Sequence, residues 1–228
     1  MPMMTRVEVG RIAGVPIFLD MILVLILILF SHSYFTSGDT QLMSAGILII
    51  IGILVSILLH ELGHMLAARI WKVGTDEIEI GGLGGVARFS SSLPRSVFAQ
   101  TVIYLAGPAA NFVLWKGFGA LTIEAWSLGK PMLGIALASL AIINYWLMIF
   151  NLLPAFPLDG GRTLEAWLNA ALGYAWATRI VAGLGLAVTA LVVWMALPMN
   201  FWLLFVAFAL FQANWGALDS VGGFTGKR

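Results

Sequence analysis

The run from Ile47 to Trp71 is apolar for long enough to cross a bilayer, and it carries His60-Glu61-Leu62-Gly63-His64 within it. Hydrocarbon offers no hydrogen-bond partners, so a single crossing segment of this kind is constrained to be a helix. At 3.6 residues per turn, positions four apart share a face, and His60 and His64 can present both imidazoles to one metal ion. Glu61 falls on the flank of that face, within reach of a water at the same ion. Two imidazoles plus a carboxylate suit zinc, one ion per chain, and the pattern points to hydrolysis. The chain has only three histidines, and two are in this motif. A mid-helix charge costs roughly 2.5–3.5 kcal/mol on insertion scales, so a glutamate kept between them marks a functional site rather than a chance match.

Composition sets the class. Hydrophobic residues make up 61% of 228 and charged ones 10%, far below the quarter usual in soluble domains, which implies an integral membrane protein in the lipid bilayer. Apolar stretches occur at about Pro16–Phe35, Met43–Trp71, Val97–Ile123, Met132–Leu153, Ile180–Leu197 and Phe201–Leu218. The expected fold is therefore an all-α polytopic membrane protein of about six transmembrane helices, a single membrane domain over residues 1–228. The second and third stretches exceed the need, so their ends are expected to project. With the amino terminus inside, ten of the twelve Lys and Arg residues fall on the cytoplasmic side, leaving Lys130 outside and Lys116 in a span. That asymmetry predicts six crossings with both termini cytoplasmic. Met1 to Gly14 lacks the layout of a cleaved signal peptide, so the first span is expected to direct insertion. The absence of cysteine excludes disulfides and thiolate ligands, and a net charge of +1 argues against a nucleic-acid partner.

Two segments break the helical pattern. Arg6-Val7-Glu8-Val9 alternates with period two, and Gly14 leads into Val15-Pro16-Ile17; Glu77-Ile78-Glu79-Ile80 alternates likewise before Gly81-Gly82-Leu83-Gly84-Gly85 and Val86-Ala87-Arg88-Phe89. These read as strands of a small sheet at the cytoplasmic face, with a β-hairpin over about 76–90.

Catalytic zinc takes three protein ligands, so one more must come from elsewhere. Asp159, Glu165 and Asp20 are the carboxylates to compare. Asp159 closes Asn151-Leu152-Leu153-Pro154-Ala155-Phe156-Pro157-Leu158-Asp159, where two prolines prevent a regular helix. Broken backbone at membrane depth requires protein or a water-filled cavity around it, which a hydrolase in a membrane also needs. Orientation favours Asp159, with an N-cap role for a helix from Gly160 to about Ala171 as the alternative. Asn151 is read two ways: as a donor to the oxygen under attack, or as a partner for a neighbouring helix. Asn111 and Asn144 are expected to hydrogen-bond between helices, and Lys116 is placed to snorkel outward.

Together, His60 to His64 in one span, the glycine-rich hairpin Gly81 to Val86, Ala106-Gly107-Pro108 in the next span, and Asn151 onward through Leu158-Asp159-Gly160-Gly161-Arg162 resemble the site-2 protease family of intramembrane zinc metalloproteases. The resemblance covers nearly the whole chain. It implies His60, His64 and Asp159 as zinc ligands, Glu61 as general base and Asn151 as a transition-state or substrate contact. It also implies a catalytic core of the second to fourth spans, about 43–171, that cleaves a transmembrane segment of another membrane protein in a prokaryotic plasma membrane. Gly81, Gly82, Gly84, Gly85 and Val86 are the expected substrate-binding positions, because a strand edge can hold a peptide extended. Two departures stand out: Asp20 occupies a position where many prokaryotic relatives carry histidine, and neither a PDZ nor a CBS domain fits in the chain. The competing readings are a membrane protease with a glutamate as third ligand, a divalent-metal transporter, and a silent relative that sequesters clients.

Overall fold

A computed structural model of the chain describes residues 6–81, 84–197 and 201–223. The elements run β1 (Arg6–Ile12), β2 (Val15–Asp20), α1 (Met21–Phe30), α2 (His32–Phe35), α3 (Thr40–Ile70), β3 (Thr75–Gly81), β4 (Gly84–Phe89), α4 (Val97–Ser127), α5 (Pro131–Asn151), α6 (Asp159–Leu172), α7 (Tyr174–Ala196) and α8 (Phe201–Ser220). Among the described residues, α3, α4, α5, α7 and α8 from Leu203 are long and apolar enough to cross a membrane. In each, only 28–33% of the most apolar window is buried inside the chain. So much apolar surface is left over that lipid must cover it, and the chain is an integral membrane protein. At 31 residues each, α3 and α4 are about 46 Å long, well beyond a hydrocarbon layer of ~30 Å.

The stretch from Pro16 to Phe35 is not one helix. Its start is drawn into β2, which pairs antiparallel with β1 and parallel with β3. Asp20 then caps α1, its carboxylate accepting from the Ile22 amide at 2.9 Å. Over a few residues an apolar pattern does not separate a buried strand from the start of a helix, and pairing on both sides decides for strand from Val15 to Asp20. The four strands predicted from alternation are present and form one sheet in the order β1-β2-β3-β4. Along β3, Ile78 and Ile80 are buried while Glu77 and Glu79 turn outward to Arg6 and Arg88.

Contacts group the residues into two compact units, one of residues up to Leu93 together with Ala106–Met148, the other of Pro94–Leu105 and Ile149 onward. In the first, Ile17, Leu23, Leu27, Ile57 and Ile80 form one apolar cluster, and Val15, Met65 and Ile78 another, so the sheet is fastened to α3 through its buried face. Ala45, Ile49 and Ala136 close the other end of α3 against α5. In the second, Ala155, Leu158, Val192, Ala207 and Leu210 form a core, and Phe156, Val181, Ala182 and Leu218 a neighbouring one.

Candidate metal centre

Helix α3 brings His60, Glu61 and His64 together as the i, i+4 spacing requires. All three are buried, Glu61 to 3% exposure, and their ligand atoms lie within 4.8 Å of one another. The Nε2 atoms of His60 and His64 are 3.1 Å apart, with the rings edge to face. Zinc with Zn–N bonds of 2.0–2.1 Å in a tetrahedron separates two nitrogens by about 3.3–3.4 Å. The imidazole pair therefore already spans close to one edge of that polyhedron.

The space in front of the two nitrogens is kept by a glycine. Gly63 on α3 packs directly on the Ala106 carbonyl of α4, where a Cβ would come within 2.6 Å of the oxygen, so the two helices approach at backbone contact. One residue further, a Cβ on Gly107 would overlap the Nε2 atoms of both His60 and His64. A side chain at position 107 and an ion between the nitrogens exclude each other. On the opposite flank, a Cβ on Gly85 of β4 would overlap the Glu61 carboxyl group, so the strand backbone runs against that side chain. The donor set and the cradle fit a zinc ion.

Behind the histidines lies a buried polar chain. His60 Nδ1 is hydrogen-bonded to Asn111 Oδ1. Asn111 Nδ2 donates to Asn144 Oδ1 at 2.9 Å, and Asn144 Nδ2 donates to Ser56 Oγ and to the Leu140 carbonyl, each at 2.9 Å. Ser56 Oγ donates in turn to the Gly52 carbonyl at 2.7 Å. Ser56, Asn111 and Asn144 are wholly buried. Both asparagines thus link helices, as expected, and Asn111 also reaches the histidine.

In the second unit, Asn151 ends α5 half-buried, and the chain leaves the helix through Leu152–Leu158 to enter α6 at Asp159. Asp159 is buried and occupies the first helical position of α6, with Leu158 at the N-cap. An acidic residue there complements the positive end of the helix dipole. Gly160 and Gly161 are needed for space: a Cβ on either would collide with the Leu152 or Ala155 carbonyl. Asn214 of α8 grips the same loop from the side, accepting from the Phe156 amide at 3.0 Å and donating to the Phe156 carbonyl at 2.8 Å. Gly185 of α7 leaves the room that Asn214 fills. Glu165 accepts from Thr178 Oγ at 2.7 Å, tying α6 to α7.

The sequence profile of peptidase family M50 matches residues 48–126 and 131–196. This chain belongs to peptidase family M50. Over 92% of its length, the M50 chain is 34% identical to Rip3 of Mycobacterium tuberculosis, provisionally named a zinc metalloprotease, and it spans 58% of that protein. It is 32% identical to zinc metalloprotease MJ0392 of Methanocaldococcus jannaschii over 78% of its length, spanning 50% of that relative. Its fold is similar to that of a site-2 protease from Methanocaldococcus jannaschii, with a TM-score of 0.69 and 26% identity, covering 93% of this chain and 94% of that one.

Of the sequence-predicted residues in this M50 chain, His60, Glu61 and His64 form one cluster, and Gly85 abuts it. Gly81, Gly84 and Val86 lie on β3 and β4, and Gly82 falls outside the described residues. Asp20 is a helix cap and Glu165 a helix-to-helix bond. Gly107 and Asn214 had no assigned part in the sequence reading. Gly107 was visible as the middle of Ala106-Gly107-Pro108, whereas nothing local distinguishes Asn214.

Proposed function

We propose that this chain is an intramembrane zinc metalloprotease that hydrolyses a peptide bond in or near a transmembrane segment of another membrane protein. The observation that carries this reading is the pair of imidazole nitrogens converging beside a buried glutamate in front of a residue with no side chain. His60 and His64 are two of the ligands, and Asp159 is assigned as the third from its sequence context, Leu158-Asp159-Gly160-Gly161-Arg162. When bound, the zinc ion supplies Lewis acidity toward a peptide carbonyl and a water acidified to about neutral pH. Glu61 takes the proton of the attacking water and returns it to the leaving amine. Asn151 donates its amide N–H to the carbonyl oxygen under attack.

A helical substrate hides its carbonyls in i to i−4 bonds and must be opened before attack. Gly81, Gly82, Gly84, Gly85 and Val86 are proposed to hold it extended. Supporting this, β4 is an end strand of the sheet, Val86 is exposed, and the backbone at Gly85 runs against Glu61. A peptide added to that edge would be delivered to the general base. The working unit is a single membrane domain with its catalytic core in about 43–171, both termini cytoplasmic, in a prokaryotic plasma membrane. The test is co-expression with single-span membrane proteins, wild type against Glu61→Gln, with cut sites mapped by mass spectrometry. Glu61→Gln is expected to retain zinc and lose cleavage; metal flux through the wild type with no peptide products would establish a transporter instead.

A further inference from the structure

We propose that Asn111, Asn144 and Ser56 form a one-way hydrogen-bond relay that fixes the tautomer of His60, so that its Nε2 carries a lone pair facing His64 even before metal arrives. The inference rests on the zinc-site reading of His60 and His64, and adds to it three positioning residues on three different helices.

The sense of the relay is set at its far end by groups that can only accept. The Leu140 and Gly52 carbonyls are backbone oxygens and have no proton to give. Ser56 spends its single hydroxyl hydrogen on Gly52, so toward Asn144 it is an acceptor. Asn144 therefore faces two acceptors, Ser56 Oγ and the Leu140 carbonyl, and its NH2 group must point at them. Turning the amide over would place its oxygen 2.9 Å from the Leu140 oxygen in a buried site, a repulsion that nothing there relieves.

With Asn144 fixed, its oxygen faces Asn111 and must accept, so Asn111 presents its NH2 there and its oxygen to His60. An amide oxygen can only accept. His60 Nδ1 therefore carries the hydrogen, and in the neutral ring Nε2 is left as the lone pair. Nε2 is the atom that lies 3.1 Å from His64 Nε2 and beside the Gly107 cradle. The relay ends in backbone carbonyls of α3 and α5 that already belong to those helices, so its direction does not depend on a water, a substrate or the metal. Asn111 thereby does for His60 what a carboxylate or carbonyl does behind a metal-binding histidine elsewhere.

The test reads the tautomer directly. Full-length protein with 15N-labelled histidine, metal-free in detergent, is examined by long-range 1H–15N correlation, with His60 assigned by loss of its signals in His60→Gln. The wild type is expected to show a protonated Nδ1 and a lone-pair Nε2 at His60. Asn111→Leu removes the acceptor and is expected to mix the two tautomers and to weaken binding of zinc alone, competed against a chromophoric chelator, by about 10–100-fold. Asn144→Leu unlocks the Asn111 amide and is expected to give a mixture with His60 and Asn111 both intact. A protonated Nε2 in the wild type overturns the proposal, and so does Asn111→Leu with tautomer unchanged and zinc affinity within about twofold of wild type. If Asn111→Leu does not fold, the wild-type spectrum decides by itself. Failure of the protease reading shows up elsewhere, as zinc-loaded protein that cuts nothing, and leaves this spectrum unaltered.

Discussion

A methyl group at position 107 would fill the space onto which His60 and His64 turn their Nε2 atoms. The atoms it meets are ends of side chains, so Gly107→Ala is expected to fold with the imidazoles pushed apart. Zinc bound per chain, measured by atomic emission after dialysis, should fall at least about tenfold, in the range seen when a ligand is misoriented. Glu61→Gln belongs to the opposite class, with zinc retained and turnover reduced by roughly 10²–10⁴-fold, the contribution typical of a general base. The third ligand is settled by the same zinc measurement. Asp159→Asn is expected to abolish stoichiometric binding, while Glu165→Gln, whose carboxylate is engaged with Thr178, should leave it intact. The reverse result would establish the protease with a glutamate ligand.

At the scale of elements, the conjunction of α3 with β4 is the informative one. A long apolar helix carries Glu61, and an end strand of a four-stranded sheet runs past that side chain at Gly85. Gly85→Ala places a Cβ where the Glu61 carboxyl group now sits, and that side chain can yield. Cleavage is expected to drop by about tenfold or more while zinc content stays near one per chain, because the general base is displaced and the histidines are not. If both activity and zinc content stay at wild-type level, the strand is not a guide to the base. The same geometry makes a demand on the substrate, since only an extended segment can pair with an edge. Helix-breaking residues near the cut should raise turnover, and replacing them with leucine should lower it; unchanged rates across such a series would remove the edge from the mechanism.

For the molecule as a whole, the second unit shows how residues late in the chain serve the loop that leads into Asp159. Asn214 satisfies both backbone groups of Phe156, and Asn214→Leu would leave a buried N–H and C=O unpaired, at a cost on the order of 2 kcal/mol or more. The expected result is a lower thermal midpoint together with weaker zinc binding; intact zinc affinity at reduced stability would show that the grip is structural only. Much of this was legible in advance. The His60–His64 face and the strands of the sheet follow from local periodicity, 3.6 for the helix and 2 for strands, and the five long apolar helices from unbroken apolar length, all of which are written in consecutive residues. What was not legible lies between elements. The run from Pro16 to Phe35 reads as one span until β1 and β3 claim its first residues. Asn111, Asn144 and Ser56 are separated by 33 and 88 positions along the relay, and Asn214 acts 58 positions from Phe156. The sequence by itself determined a membrane-embedded pair of imidazoles with a glutamate between them, because one helical turn suffices to specify it. Only the tertiary structure decided that Gly107 clears the space, that Gly85 backs the glutamate and that an asparagine aims His60, because each depends on how closely and at what rotation separate elements pack.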